Sequence, residues 1–96
     1  MAETAEIIAQ EEQSGCWVFT IRAESASGER HHRLRLAWPD YDLLAPGGEV
    51  PPERVALAVF RFLGERAEFA PLPDRLDASW ARRRVDGADR LIAARL

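Results

Sequence analysis

The sequence contains no lysine, one cysteine and no apolar run long enough to cross a membrane. All 13 basic side chains are arginine, which indicates a GC-rich bacterial genome. Cys16 has no partner for an internal disulfide. The sequence also shows no export signal, which would consist of a positively charged start followed by a long apolar segment. We therefore expect a bacterial protein of the reducing cytoplasm with no membrane association.

Motifs for phosphate binding are also missing. Gly47 and Gly48 precede a helix start, but no P-loop or dinucleotide fingerprint is present, and Pro51 and Pro52 lack the N–H donors that a phosphate would need. The formal net charge of −3 disfavours general nucleic-acid binding. The sequence thus predicts no cofactor, no catalytic residue and no metal ligand.

At 96 residues the chain has the length of one domain, residues 1–96, with residues 1–3 expected to be frayed. The strongest local pattern is a helix over about residues 52–66. Prolines occupy its first turn, and Glu53 complements the positive end of the helix dipole. Its apolar positions recur at helical spacing: Val55, Ala56, Val59, Phe60, Phe62 and Leu63.

Three segments before this helix predict an antiparallel β-meander, at about residues 4–11, 15–24 and 30–38. The second and third alternate polar and apolar residues with period two, whereas the first also has good helix propensity, so strand and helix both stay open there. One face of the meander should pack on the helix. The residues expected on that face of the meander are Trp17, Phe19, Ile21, Leu34, Leu36 and Trp38.

The remaining segments connect and close this α+β core. Residues 39–51 are rich in proline and glycine and predict an ordered loop. Short helices are expected at about 77–84, capped by Asp77, and at about 87–95. The run Arg82-Arg83-Arg84 falls near a helix end and predicts a solvated surface.

Six short motifs follow one another along the chain: His32-Arg33-Leu34-Arg35-Leu36, Tyr41 and Leu44, Gly47-Gly48, Pro52-Glu53, residues 60–66 and Leu76-Asp77. In this order they resemble a group of small bacterial α+β proteins with no established activity. The resemblance covers most of the chain beyond Gly15, and it implies a fold and no activity. Departures from the group are Pro51, where a Ser or Thr cap is expected, and residues 85–87, where an aromatic-Pro turn is expected.

Two clusters could carry chemistry. Cys16 with His32 offers a thiol and a base, but His31 and His32 point to opposite faces of a strand, so they cannot chelate one ion together. The second cluster is Asp40-Tyr41-Asp42, two carboxylates around a phenol, which is also ordinary turn sequence. For both clusters we expect structural or solvent-exposed roles. A small enzyme that uses one of them is the second alternative to the function given below.

The sheet face away from the helix carries the most suggestive residues: Arg22, His31, Arg33 and Arg35. This face could bind an acidic protein surface or phosphates, or its arginines could pair with Glu24, Glu29 and the acidic first strand. We expect a noncatalytic protein-interaction domain, acting through this face or a sheet edge. The first alternative is binding of nucleic acid or another anion. A monomer, or a weak homodimer through a sheet edge, is expected.

Overall fold

Four strands form a mixed β-sheet in the computed structural model, which describes residues 4–96. Across the sheet and along the chain they are β1 (Thr4–Gln13), β2 (Cys16–Ser25), β3 (Gly28–Ala37) and β4 (Arg75–Asp77). The first three are antiparallel, as expected, and the first segment is a strand. The expected sheet of three strands is wrong in one respect, because β4 adds a parallel strand beside β3. The expected fraying of residues 1–3 lies outside the described residues.

Within residues 4–96, four helices and a 3₁₀ turn complete the fold. They are α1 (Trp38–Leu44), α2 (Pro52–Gly64), the 3₁₀ turn (Ala67–Phe69), α3 (Ser79–Arg84) and α4 (Ala88–Ala93). The prediction of a loop after residue 38 is corrected by α1, whose first turn accepts Pro39 because the first helical N–H groups need no partner within the helix. The other predicted helices are present, and no end differs from its predicted position by more than two residues.

The core lies between α2 and one face of the sheet, which we call the inner face. Phe19, Ile21, Leu34 and Leu36 are each 0% exposed and share one cluster with the apolar side of α2. Trp17 is partly buried. The placement of Trp38 in this core was wrong: it is the first residue of α1, 44% exposed, with its ring centroid 6.2 Å from that of Trp17.

The short strand β4 is attached to β3 by backbone hydrogen bonds. The backbone N–H of Arg33 donates to the carbonyl oxygen of Asp74 at 2.7 Å. The backbone N–H of Ala78 donates to the carbonyl oxygen of Arg35 at 2.9 Å. A parallel pair needs a long crossover, and residues 38–74, which include α1 and α2, supply it. The face opposite α2, which we call the open face, therefore extends over four strands.

Candidate functional site

The four residues expected on the open face lie there together. Arg22 on β2 is directly opposite His31 on β3, while Arg33 and Arg35 lie opposite Thr20 and Val18. The alternation of β3 places exposed side chains at odd positions and buried ones at even positions from residue 31 to 36. Directly opposed residues of an antiparallel pair project from the same face, so the strand register brings this basic group together.

Each of these four side chains has an acidic partner. Arg22 pairs with Glu6, His31 Nε2 lies 2.9 Å from Glu29, and the Arg33 guanidinium lies 3.5 Å from Glu11. Arg35 lies 3.3 Å from Asp77. The expected pairing with Glu29 and with the acidic first strand is thus present, whereas Glu24, the other expected partner, accepts a hydrogen bond from Thr4. The open face thus carries both signs of charge.

A β-bulge in β1 allows Glu6 and Glu11 to lie on the same face of the sheet. The register with β2 shifts between Ile7 and Ala9, so Glu6 and Glu11, which are an odd number of residues apart, both lie opposite open-face positions. Without the extra residue, side chains beyond the bulge would point to the other face. The bulge therefore places Glu11 within reach of Arg33.

The strand β4 and the helix α3 add three residues to the open face that the sequence analysis did not place there. Arg75 lies beside Arg33 in the parallel register, Asp77 lies beside Arg35, and Trp80 follows in the first turn of α3. Asp77 accepts a hydrogen bond from the backbone N–H of Ser79 at 2.9 Å in addition to its contact with Arg35. A three-residue strand has too little periodicity to be found in a sequence, although the apolar Leu76 between two charged residues is consistent with one.

These side chains surround an open groove of about 450 Å³. Val18 and Trp80 supply apolar surface, and the guanidinium groups of Arg33, Arg35 and Arg75 supply donors. Guanidinium groups bind carboxylates and phosphates in a bidentate manner, and an indole ring offers a large apolar contact. The arrangement is suited to binding an anionic group that has an apolar neighbour.

The Asp40-Tyr41-Asp42 cluster lies in α1 and not in a loop. Asp40 is 6% exposed and accepts a hydrogen bond from Arg82 at 2.7 Å, while the Tyr41 hydroxyl donates to the carbonyl of Val50. Burial alone would lower the pKa of Arg82, but its hydrogen bonds to Asp89 and Asp40 raise it. Arg82 is therefore an ion-pair centre joining α1, α3 and α4, and the expectation that it is a solvated helix end was wrong.

The Cys16 and His32 pair is separated by the sheet. Cys16 lies opposite Ala37 and is buried, and the alternation of β2 places it on the same face of the sheet as Arg22, the open face. His32 lies opposite Ile21 on the inner face. His32 Nδ1 is 2.7 Å from the carbonyl oxygen of Pro73, and its ring centroid is 5.2 Å from that of Phe60. The two side chains thus cannot share a proton or a ligand.

Within residues 4–96, no three His, Cys, Asp or Glu side chains converge in a way that could hold a metal ion. Over the same residues, no helix combines the length and the apolar character that a membrane span requires. The chain matches no protein-family model, and no curated protein and no solved structure matches it. The resemblance to the bacterial α+β group stays a prediction.

Proposed function

We propose that the chain is a noncatalytic domain of a bacterial cytoplasm that binds a protein partner through the open face of its sheet. The observation that carries the proposal is the groove, which is lined by three arginines together with the apolar side chains of Val18 and Trp80. Arginine and aromatic residues are enriched in protein interfaces, where they act as anchors. The partner surface that fits this groove is acidic and has an apolar residue within it.

The mixed charge of the open face favours a protein partner over a nucleic acid. Glu6, Glu11 and Asp77 lie among the arginines and would repel a continuous phosphate backbone. Nucleic-acid binding draws most of its affinity from neutralised phosphates, and the net charge of −3 opposes it. A protein surface can instead offer a single acidic group to the arginines that line the groove.

The chemistry of the groove supports binding more than catalysis. Of the described residues that line it, none is a cysteine, serine, histidine or lysine, the side chains that most often serve as nucleophile or base. Its carboxylate, Asp77, is occupied by Arg35 and by the N–H of Ser79. The lining thus offers donors and apolar contact.

The outer edge of β1 is a second surface that supports association with a strand, because β1 ends the sheet among the described residues. Antiparallel pairing of two copies along the whole of β1 would place Glu6 of one copy opposite Glu11 of the other. Like charges directly opposite each other destabilise a strand pair. We therefore infer a monomer, with any homodimer through this edge being weak.

The test is affinity capture from lysate of the native host, treated with nuclease so that nucleic acid does not bridge proteins. The wild-type chain is compared with the double variant Arg33→Ala, Arg35→Ala. We expect one partner to be retained by the wild type and reduced by about tenfold or more with the variant, since charged hydrogen bonds are lost. Calorimetry with the purified partner then gives both affinities.

The matched control is the double variant Arg54→Ala, Arg61→Ala. Both residues are exposed on α2, away from the open face, and the net charge changes by the same amount. This control should capture the partner as well as the wild type does. Equal capture by both double variants and the wild type would contradict the proposed role of the open face.

A further inference from the structure

Two arginines lie side by side in the groove, because the parallel register pairs Arg33 on β3 with Arg75 on β4. Neighbouring strands are about 4.8 Å apart, so side chains at paired positions are adjacent. Like charges at directly opposed positions destabilise a sheet. This local excess of positive charge favours an anion bound between the two guanidinium groups.

The surrounding carboxylates do not cancel this excess. Glu11 lies 3.5 Å from Arg33, on the side of β1, and Asp77 is engaged by Arg35 and the N–H of Ser79. Among the residues that the structure describes, no ion pair or side-chain hydrogen bond is found for Arg75, which is exposed. Arg75 therefore has its donors available for a ligand.

We propose that Arg33 and Arg75 form a carboxylate-binding subsite, which takes an aspartate or glutamate side chain from an extended segment of a protein partner. Side chains two positions apart in an extended segment point the same way and are about 6.6 Å apart. Val18 lies opposite Arg35, two positions along β3 from Arg33, and lines the groove together with Trp80. With the acidic side chain between Arg33 and Arg75, we therefore expect the side chain two positions along to contact this apolar surface. The subsite rests on the proposed function and specifies its partner as an acidic residue followed, two positions later, by an apolar one.

A single carboxylate fits this subsite better than a chain of phosphates. Of the three arginines that line the groove, Arg33 and Arg35 have carboxylate partners, Glu11 and Asp77, and these carboxylates remain close to any ligand bound there. A phosphate chain that neutralised Arg33 and Arg75 would bring its next charges close to those carboxylates. The charge pattern therefore matches one acidic side chain with a neutral, apolar neighbour.

The test uses a terminally blocked peptide of sequence Ser-Glu-Ser-Leu-Ser and its analogue with Gln in place of Glu. Binding to the isotope-labelled wild-type chain is followed by NMR, through the side-chain Nε–H signals of Arg33 and Arg75 and the indole N–H of Trp80. We expect these three signals to shift with the Glu peptide, with a Kd on the order of 1 mM, and binding of the Gln peptide to be about tenfold weaker.

The variant Arg75→Gln should weaken binding of the Glu peptide by about tenfold and leave binding of the Gln peptide nearly unchanged. The control Arg90→Gln removes an exposed arginine of α4 that does not line the groove, and should bind both peptides as the wild type does. The subsite is overturned if the Glu peptide does not bind at about 5 mM, or if Arg75→Gln and Arg90→Gln give equal affinities. It is also overturned if a thymidine oligonucleotide binds more tightly than the Glu peptide at equal salt.

Failure of this subsite differs from failure of the proposed function. If the partner is lost with the Arg33 and Arg35 double variant but the Glu peptide does not depend on Arg75, the open face binds a partner by other contacts. If the peptide depends on Arg75 but lysate capture is unchanged by the double variant, the subsite stands and the proposed role of the open face does not.

Discussion

Arg82 illustrates how much the surroundings of a single side chain decide its role. It lies in a run of three arginines on α3, yet only its guanidinium reaches both Asp40 of α1, at 2.7 Å, and Asp89 of α4, at 3.0 Å. Asp40 is buried, so its charge is costly without a partner. The contact therefore holds three short helices together and offsets a buried carboxylate.

Replacing Arg82 with Ala should destabilise the chain by about 2–4 kcal/mol, because the buried carboxylate of Asp40 loses its partner. This range is lower than the cost of breaking a fully buried ion pair, because solvent screens the partly exposed Arg82. Urea unfolding at neutral pH measures the change. Arg83→Ala is the matched control, since Arg83 is exposed on the same helix, and it should change stability by no more than about 0.5 kcal/mol. Equal effects of the two substitutions would show that the ion-pair centre does not stabilise the fold.

Among the elements, β3 is an interior strand that contributes to both the core and the groove. It has β2 on one side and β4 on the other, and α2 covers its inner face. Between residues 31 and 36, its buried positions are occupied by His32, Leu34 and Leu36, and its exposed positions by His31, Arg33 and Arg35. One strand thus supplies both the centre of the core and the basic part of the groove, so changes on its two faces should affect different properties.

Truncating the inner face of β3 should affect stability. Leu36→Ala is expected to cost about 2–5 kcal/mol, because Leu36 is 0% exposed and its removal leaves a cavity. That is a large part of the free energy of unfolding of a small domain. Thermal and urea unfolding would measure it. The control is Leu43→Ala on α1, where the side chain is 56% exposed, and a loss there as large as that of Leu36 would contradict the described core.

At the scale of the whole molecule, the C-terminal segment is held to α2 by Arg95 and Glu65. Arg95 donates to Glu65 at 3.0 Å, and its guanidinium carbon is 5.6 Å from the ring centroid of Phe62. The hydrogen bond from Arg95 lowers the pKa of Glu65, against a smaller opposing effect of burial. This contact links the end of α2 to the segment that follows α4.

Because the pKa of Glu65 is lowered in the folded chain, Glu65 contributes to the free energy of unfolding in a way that decreases at acidic pH. The stabilisation is complete above the unfolded pKa near 4.5 and is lost as the pH falls through the lower folded pKa. We expect Glu65→Gln to be less stable than the wild type at neutral pH and nearly equal to it well below that range. Urea unfolding across this pH range, with Glu68→Gln as the control, measures the difference. A difference between wild type and Glu65→Gln that stays constant with pH would contradict it.

The sequence alone determined the elements whose periodicity is long enough to read. The alternation through Phe19 and Ile21, and through Leu34 and Leu36, identified β2, β3 and their buried face, and the helical spacing from Val55 to Leu63 identified α2. The same alternation placed Arg33 and Arg35 on the other face. These features depend on neighbours in sequence, so local patterns are sufficient to find them.

Tertiary structure decided what depends on residues far apart in the chain. The strand β4 has three residues, and its parallel pairing is set by the crossover that brings Arg75 beside Arg33, 42 positions earlier. The partnership of Arg82 with Asp40 likewise depends on how α1 and α3 pack. Charge and hydrogen-bond partners at such separations leave no periodic trace in a sequence, because the contacts exist only once the core has fixed the elements in space.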